Sequence, residues 1–351
     1  MRPRPDRVRD GDAGAPGGQR AGAGRPGGRS TMKRRALLAA SAAGFLAACA
    51  APEDPSSKLW HSGELVIGTG NTTGVFYVLG AGYAGLINKH LSGYDATAAP
   101  TGGSIDNLQR LFSGDIDIAL TLAAAADDAF AGTGTWSGRP QTVRALARTY
   151  NNFEHVIART DAGIDSVAEL KGRRVSLGSP GSGTELIGKR LIAAAGLDPN
   201  TDLVGLSMSL PQTTAAILSG GIEAMIWSGG IPTPGIVDLF AQAHGQVKFL
   251  PIQELLAKVD QKYPNLLDKA VIPKAVYNLP EDVAALTDAN LIVVNDNMPA
   301  DLAYQLTKVL FDYQQDLVSI HPAANGIKRE LASDTDPVPL HSGSQHYYSS
   351  V

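Results

Sequence analysis

What most limits the fold of this chain is an alternation of short apolar runs, each ending in glycine and hydroxyl residues, with segments of helical spacing. Strand-like runs at 65–67, 95–98, 116–120 and 143–146 enclose helical patterns at 75–90 and 104–112. That order implies parallel strands covered by helices, an α/β architecture. The grammar then repeats. Strand-like runs at 156–158, 175–177, 203–206, 223–227 and 247–251 alternate with helical segments at 166–170, 185–195, 211–218 and 232–243. After a less regular stretch, an apolar run at 290–294 leads into a long amphipathic segment at 299–320. Two consecutive α/β sheets predict two lobes, with 63–148 and 296–351 in lobe I and 149–295 in lobe II. The chain crosses between them near 149–156 and 284–296, leaving a cleft. A length of 351 residues accommodates two such units.

Four loops at strand ends repeat one device: residues 69–74 (T-G-N-T-T-G), 101–104 (T-G-G-S), 179–184 (S-P-G-S-G-T) and 227–232 (W-S-G-G-I-P). Glycine lets backbone approach a ligand closely, and the hydroxyl caps the helix that follows. Ligands in open α/β sheets sit at the carboxyl ends of strands, where helix N-termini present free N–H groups to an anion. The candidate ligand-binding residues are therefore Thr69, Gly70, Thr72, Thr73, Thr101, Gly103, Ser104, Ser179, Ser182, Gly183, Thr184, Trp227, Ser228 and Gly229, with Thr121 after the third strand. Arg148, just before the first crossover, has a guanidinium fork suited to a carboxylate. Tyr77, Tyr150 and Trp227 are candidates to close over the apolar part of a ligand. Arg173, Arg174, Lys189 and Arg190 read as solvated.

Other chemistries lack their residues. Gly68-Thr69-Gly70 followed by Gly74 approximates a dinucleotide fingerprint, but the third glycine comes one residue late and the acidic residue at the end of the second strand is missing. The run G-T-E-L-I-G-K at 183–189 approximates a phosphate-binding loop, yet Arg190 stands where a metal-binding Ser or Thr is needed. Neither G-x-S-x-G nor H-E-x-x-H occurs, and the seven histidines are scattered, His341 and His346 in a polar tail. No enzyme, cofactor or metal is expected.

The N-terminal region reads as targeting information. Residues 1–31 are rich in Arg, Gly, Pro and Ala and have the composition of a segment that does not fold, an extension ahead of Met32 as the expected start. Lys33, Arg34 and Arg35 precede small and apolar residues to Ala48, the layout of a secretory signal over 32–48. Leu46-Ala47-Ala48-Cys49 resembles a bacterial lipobox, so the chain's single cysteine, Cys49, is the expected lipidation site. Residues 49–62 then form a tether reaching on the order of 20 Å. Residues 1–48 hold ten Lys/Arg and three Asp/Glu of the chain's 30 and 34, which leaves 20 basic against 31 acidic residues and a net charge of -11 in the remainder. A field that acidic disfavours nucleic acid.

The sequence resembles the TAXI group of extracytoplasmic solute receptors of TRAP transporters, over about 65–348. The matching segments are V-I-G-T-G-N-T-T-G-V-F-Y at 66–77, T-G-G-S-I-D-N-L at 101–108 and G-D-I-D-I-A-L at 114–120. They continue with S-V-A-E-L-K-G-R-R-V-S-L-G-S-P-G-S-G-T-E at 166–185, S-G-G-I-P-T-P at 228–234 and H-P-A-A at 321–324. The tail at 339–344 and the segment T-Y-N-N-F at 149–153 depart from the family's usual form. The resemblance implies a type II periplasmic-binding-protein fold and capture of a small carboxylate, glutamate-like or a dicarboxylate. It also implies delivery to a TRAP permease, while the lipobox-like Cys49 leads to the expectation of a lipoprotein, a monomer, on the outer face of the cytoplasmic membrane. Two other classes stay open: an ABC-type solute-binding protein, and a ligand-sensing lipoprotein feeding a membrane kinase.

Overall fold

The computed structural model describes residues 59–350, so the signal-like segment, Cys49 and the tether up to residue 58 lie outside the described residues. After a 3-10 turn at Trp60–Gly63, β1 (Glu64–Gly68) enters the core. In α1 (Val75–His90) the apolar Val75, Leu79, Tyr83, Leu86 and Ile87 recur at three- and four-residue spacing and are all buried. β2 (Asp95–Ala99), α2 (Ser104–Ser113) and β3 (Ile118–Leu122) follow. The alanine-rich stretch beyond β3, given no element by the sequence reading, forms α3 (Ala123–Ala131) directly on the strand's end. Alanine favours helix, and Gly132 at φ 68° terminates it.

β4 (Val143–Arg159) corrects the expectation of two strands separated by a crossover loop, because all 17 residues form one strand. The intervening polar residues Thr149, Asn152, Glu154 and His155 look like a break in the sequence, yet each is buried. β5 (Arg174–Ser176), α4 (Gly183–Ala194), β6 (Val204–Leu206), α5 (Leu210–Leu218), β7 (Ala224–Gly229), α6 (Pro234–Ala243) and β8 (Val247–Phe249) repeat the alternation. The irregular stretch resolves into α7 (Leu256–Asp260), β9 (Asp268–Ile272) and α8 (Lys274–Tyr277). β10 (Val283–Asn295) is longer at both ends than the apolar run 290–294. The long helix expected at 299–320 breaks at Tyr313 (φ −118°, ψ 24°) into α9 (Ala300–Asp312) and α10 (Gln314–Ile320). The polar tail holds α11 (Ser342–Ser349), capped by His341, which is buried against the expectation of exposure because its Nδ1 accepts the Gly343 N–H at 3.2 Å.

The strands form one ten-stranded sheet of order β2-β1-β3-β10-β4-β7-β5-β6, with β8 beside β4 and β9 beside β10. The two sheets expected from the sequence are thus two parallel fans joined by the antiparallel pair β4/β10. Residues 143–153 of β4 pair with residues 287–295 of β10, while the stretch from Phe153 to Ala158 pairs with β7. Each fan has its own core, one around Ile67, Leu79, Ile87, Leu306 and Leu310, the other around Val156, Ile187, Leu191, Ile226 and Leu250. None of the described helices is long and apolar enough to cross a membrane.

Asn107 braces the strand ends of the first fan. It is fully buried in α2, and its Nδ2 donates to Thr69 O and Leu120 O, both at 2.7 Å. Its Oδ1 accepts from Thr101 Oγ1 at 2.6 Å. Asn107→Ala leaves buried carbonyls without donors, and urea denaturation should show a loss of about 3 kcal/mol. A loss below about 1 kcal/mol would mean that the loops hold themselves.

Candidate functional site

Three helix N-termini meet between the fans. The N-cap residues of α1, α2 and α4, which are Gly74, Gly103 and Ser182, all line a cavity of about 30 Å³, room for about two water molecules. The end of β7 and Asn152 of β4 form the rest of its polar wall, and Val75, Phe76, Leu122 and Trp227 its apolar wall. The cavity brings together the candidates Gly70, Gly103, Ser104, Ser182, Gly183, Thr184, Trp227, Ser228 and Gly229. No Lys, Arg, His, Asp or Glu lines it.

Hydrogen bonding sets the polarity of the lining hydroxyls. Ser104 Oγ accepts the Leu122 N–H, Ser182 Oγ the Glu185 N–H and Thr184 Oγ1 the Ser228 N–H, each at 3.0 Å. A hydroxyl whose oxygen is taken by a backbone donor keeps its own proton to give. Three hydroxyl donors therefore surround the cavity beside helix ends carrying positive dipole charge, a setting for an anion. Glycine makes the approach possible at two points across the cleft. A Cβ on Gly183 would lie 2.4 Å from Leu122 Cδ1 and 2.6 Å from Ser104 Oγ, and one on Gly102 would lie 2.6 Å from Pro180 O.

The remaining candidates sit outside the lining. Thr69 is buried with its hydroxyl on Ala99 O at 2.6 Å, and Thr101 is taken up by Asn107. Thr121 turns to the opposite face of β3 from Leu122, as strand alternation requires, and bonds Leu122 O at 3.1 Å. Thr72 is exposed, and Tyr77, one residue past the lining Phe76, is rotated away on α1. Tyr150 is buried behind the site, its ring edge-on to Phe76 at 6.5 Å. Arg148 faces away from the cleft and pairs with Asp334 at 2.7 Å. Arg190, read as solvated, is buried and pairs with Asp128 at 2.6 Å.

Ser179 and Thr73 take part in hydrogen bonds that bridge the two fans. Asn71 Nδ2 donates to Ser179 Oγ at 3.2 Å, and Asn71 Oδ1 accepts the Leu210 N–H at 2.9 Å. Gly235 N donates to Thr73 O at 3.1 Å, and Ile105 N and Asp106 N donate to Gly181 O at 2.9 and 3.0 Å. His321 Nε2 donates to Pro232 O at 2.9 Å. The sequence reading missed Asn71, Gly74, Val75, Phe76, Gly102, Leu122, Asn152 and Gly230 as lining residues. Asn71, Gly74, Gly102 and Gly230 lie inside its four loops, and Asn152 belongs to the T-Y-N-N-F segment that departs from the family form, in a polar stretch of β4.

Behind the cavity lies a layer of titratable groups. Burial and the neighbouring Asp288 push the Glu154 carboxyl well above the usual range, and burial with Asp127 does the same to Asp288. Asp127 is raised to about 7, first by burial and then by Asp128, with Arg190 opposing. Burial lowers His155 to about 4, so its ring is neutral. Its Nδ1–H donates to Phe153 O at 2.8 Å and its Nε2 accepts the Tyr277 hydroxyl at 2.9 Å. Among the described residues no group of three or more His, Cys, Asp or Glu side chains is placed to hold a metal ion.

A binding protein component of an ABC phosphonate transporter from Pseudomonas aeruginosa resembles this structure with a TM-score of 0.51 at 15% identity, over 76% of this chain and 80% of that one. The protein Tv2483 bound to L-arginine gives 0.48 at 17% identity, over 78% and 94%. The periplasmic aliphatic sulphonate binding protein SsuA from Escherichia coli gives 0.45 at 16% identity, over 82% of each chain. The first of these carries the fold assignment, the two-lobed architecture of periplasmic binding proteins. Residues 67–350 match the NMT1-like family, a span that takes in every loop lining the cavity, and the chain belongs to that family.

Proposed function

We propose that this protein is an extracytoplasmic solute-binding protein that closes two lobes on a small oxoanion, such as a carboxylate, and hands it unchanged to a membrane importer. The observation that carries the reading is a cavity wall without charged side chains, at which three helix N-termini meet beside the hydroxyls of Ser104, Ser182 and Thr184, each already accepting a backbone N–H. Such a wall binds negative oxygen without a reacting group, which fits carriage better than catalysis. The lobes are proposed to divide near 148/149 and 295/296, with β4 and β10 as hinges. The signal-like segment and Cys49 support export and lipid anchoring.

Between the two importer classes, the ABC type has the better support, because the phosphonate-binding component of similar fold belongs to an ABC transporter. The TRAP reading rests on the TAXI-like segments alone. Neighbouring genes that encode an ATPase or a TRAP permease would decide between them.

Calorimetry on protein refolded to strip any ligand, with glutamate, C4 to C6 dicarboxylates, alkylphosphonates and alkylsulfonates, should find at least one binder. Absence of binding across that panel would sink the anion reading. Ser182→Ala and Ser104→Ala should each weaken the binder about tenfold, the loss of a hydrogen bond to a charged ligand. Asn71→Ala removes the side-chain bonds to Ser179 and Leu210 across the cleft together with one amide of the cavity lining, so stopped-flow measurements should show faster release with the association rate little changed.

A further inference from the structure

We propose that Glu154 is a neutral hydrogen-bond donor which, through Ser228, sets the floor of the cavity to receive an anion, a proposal that rests on the anion-binding reading above. Ser228 is one of the residues lining the cavity, and its Oγ stands 2.8 Å from Glu154 Oε1. Glu154 is 1% exposed, and its Oε2 has no hydrogen-bond partner. The carboxyl is thus sealed behind the serine.

The groups packed around it supply no cation. From β10 comes Asp288, 2% exposed and with Oδ2 unpartnered. From α3 come Asp127 and Asp128, and from α4 comes Arg190, whose guanidinium is taken by Asp128 at 2.6 Å and lies 4.2 Å from the Tyr263 ring. His155, next along β4, turns to Tyr277 and is neutral. Two buried carboxyls without a cation between them do not both ionise. The Arg190 charge and nearby backbone amides oppose the rise at Asp288, whereas at Glu154 only the Ser228 hydroxyl does so. Of the two, Glu154 has the less support for a negative charge, and it holds a proton.

A neutral carboxyl donates Oε1–H to Ser228 Oγ. Asn152 Nδ2 approaches the same oxygen at 3.4 Å, so both of its lone pairs are engaged and the serine's own O–H is left for the cavity. An ionised Glu154 does the reverse. It takes the serine proton, turns oxygen lone pairs toward the ligand and places a negative charge one residue behind an anion. Because the folded-state value of this acid is raised, its neutral form is present at low pH and is lost as pH rises through that value. Anion affinity falls in the same window.

Carbon-13 NMR of the Glu154 side-chain carboxyl, assigned by the signal lost in Glu154→Gln, reads the proton directly. A protonated carboxyl at neutral pH is expected, and a carboxylate there overturns the proposal whether or not any anion binds. Calorimetry with the anion selected from the panel should show wild-type affinity falling as Glu154 ionises. Glu154→Gln, which keeps a donor toward Ser228, should bind within about threefold of wild type and lose that pH dependence, while Ser228→Ala should bind about tenfold more weakly at every pH. Wild-type affinity that is flat through the Glu154 transition, or a Glu154→Gln loss as large as that of Ser228→Ala, overturns the proposal. If Glu154 titrates as expected but no panel anion binds at any pH, the anion reading fails and this one with it.

Discussion

The pairing of β4 with β10 is the constraint on which the rest of the molecule depends. These strands carry the chain between lobes, so their middles are buried by both fans while the cleft floor above them has to stay polar. The side chains there satisfy one another in part, while Asn290 Oδ1, Tyr150 OH and Glu154 Oε2 stay without a partner. Asn290 Nδ2 donates to Tyr150 O at 2.9 Å and to Asn152 Oδ1 at 2.8 Å, and Thr149 Oγ1 donates to Asn290 O at 3.2 Å. The ladder shifts register between Ala289 and Leu291, at the same level. A bulge twists and softens a pair of strands locally. Polar bonds and irregular pairing thus mark one place where rotation costs less than in the apolar ladders on either side.

The bonds between the two fans lie beside the groups that would hold a ligand. Gly181 O, from the second lobe, accepts the N–H groups of Ile105 and Asp106 in the first turn of α2. That carbonyl caps a helix whose N-cap, Gly103, has no side chain to do so. In an open form these N–H groups would turn to water, so the net gain per bond is about 1 kcal/mol and the closed form is favoured only modestly by them. A bound anion adds interactions that exist only when both lobes reach it, and a ligand shifts such an equilibrium by its differential affinity for the two forms.

How much of this was legible in the sequence follows from what each signal measures. The α/β alternation and the four loops were readable because strand ends, glycines and caps leave local patterns, and the cavity takes lining residues from all four loops. The continuity of β4 was not, since Thr149, Asn152 and Glu154 look like a loop until β10 and β7 are placed beside them. Arg148 illustrates a second limit. Its position in the order of elements pointed to the cleft, but the face of a strand on which a side chain lies depends on register, and register placed its guanidinium on Asp334. Arg190 and His341 were misread for a related reason: their partners, Asp128 and the α11 backbone, are distant in sequence or belong to an element that the pattern did not announce.

The absence of charged side chains from the cavity wall has a physical logic of its own. The chain beyond residue 48 carries a net charge of -11, yet that field is screened over a Debye length of about 8 Å, whereas N–H and O–H donors act at contact distance. A lysine or arginine in the wall would need a counter-charge whenever the lobes part, and would strengthen the hold on a ligand that has to be released. Fixed dipoles require neither, because helix ends and backbone-anchored hydroxyls stay solvated and neutral in the open form. Ionisable residues are instead set one layer back, where Arg190 is tied to Asp128 and Glu154 faces Ser228. On the reading proposed above, the cavity's polarity would be set from behind by Glu154 through Ser228.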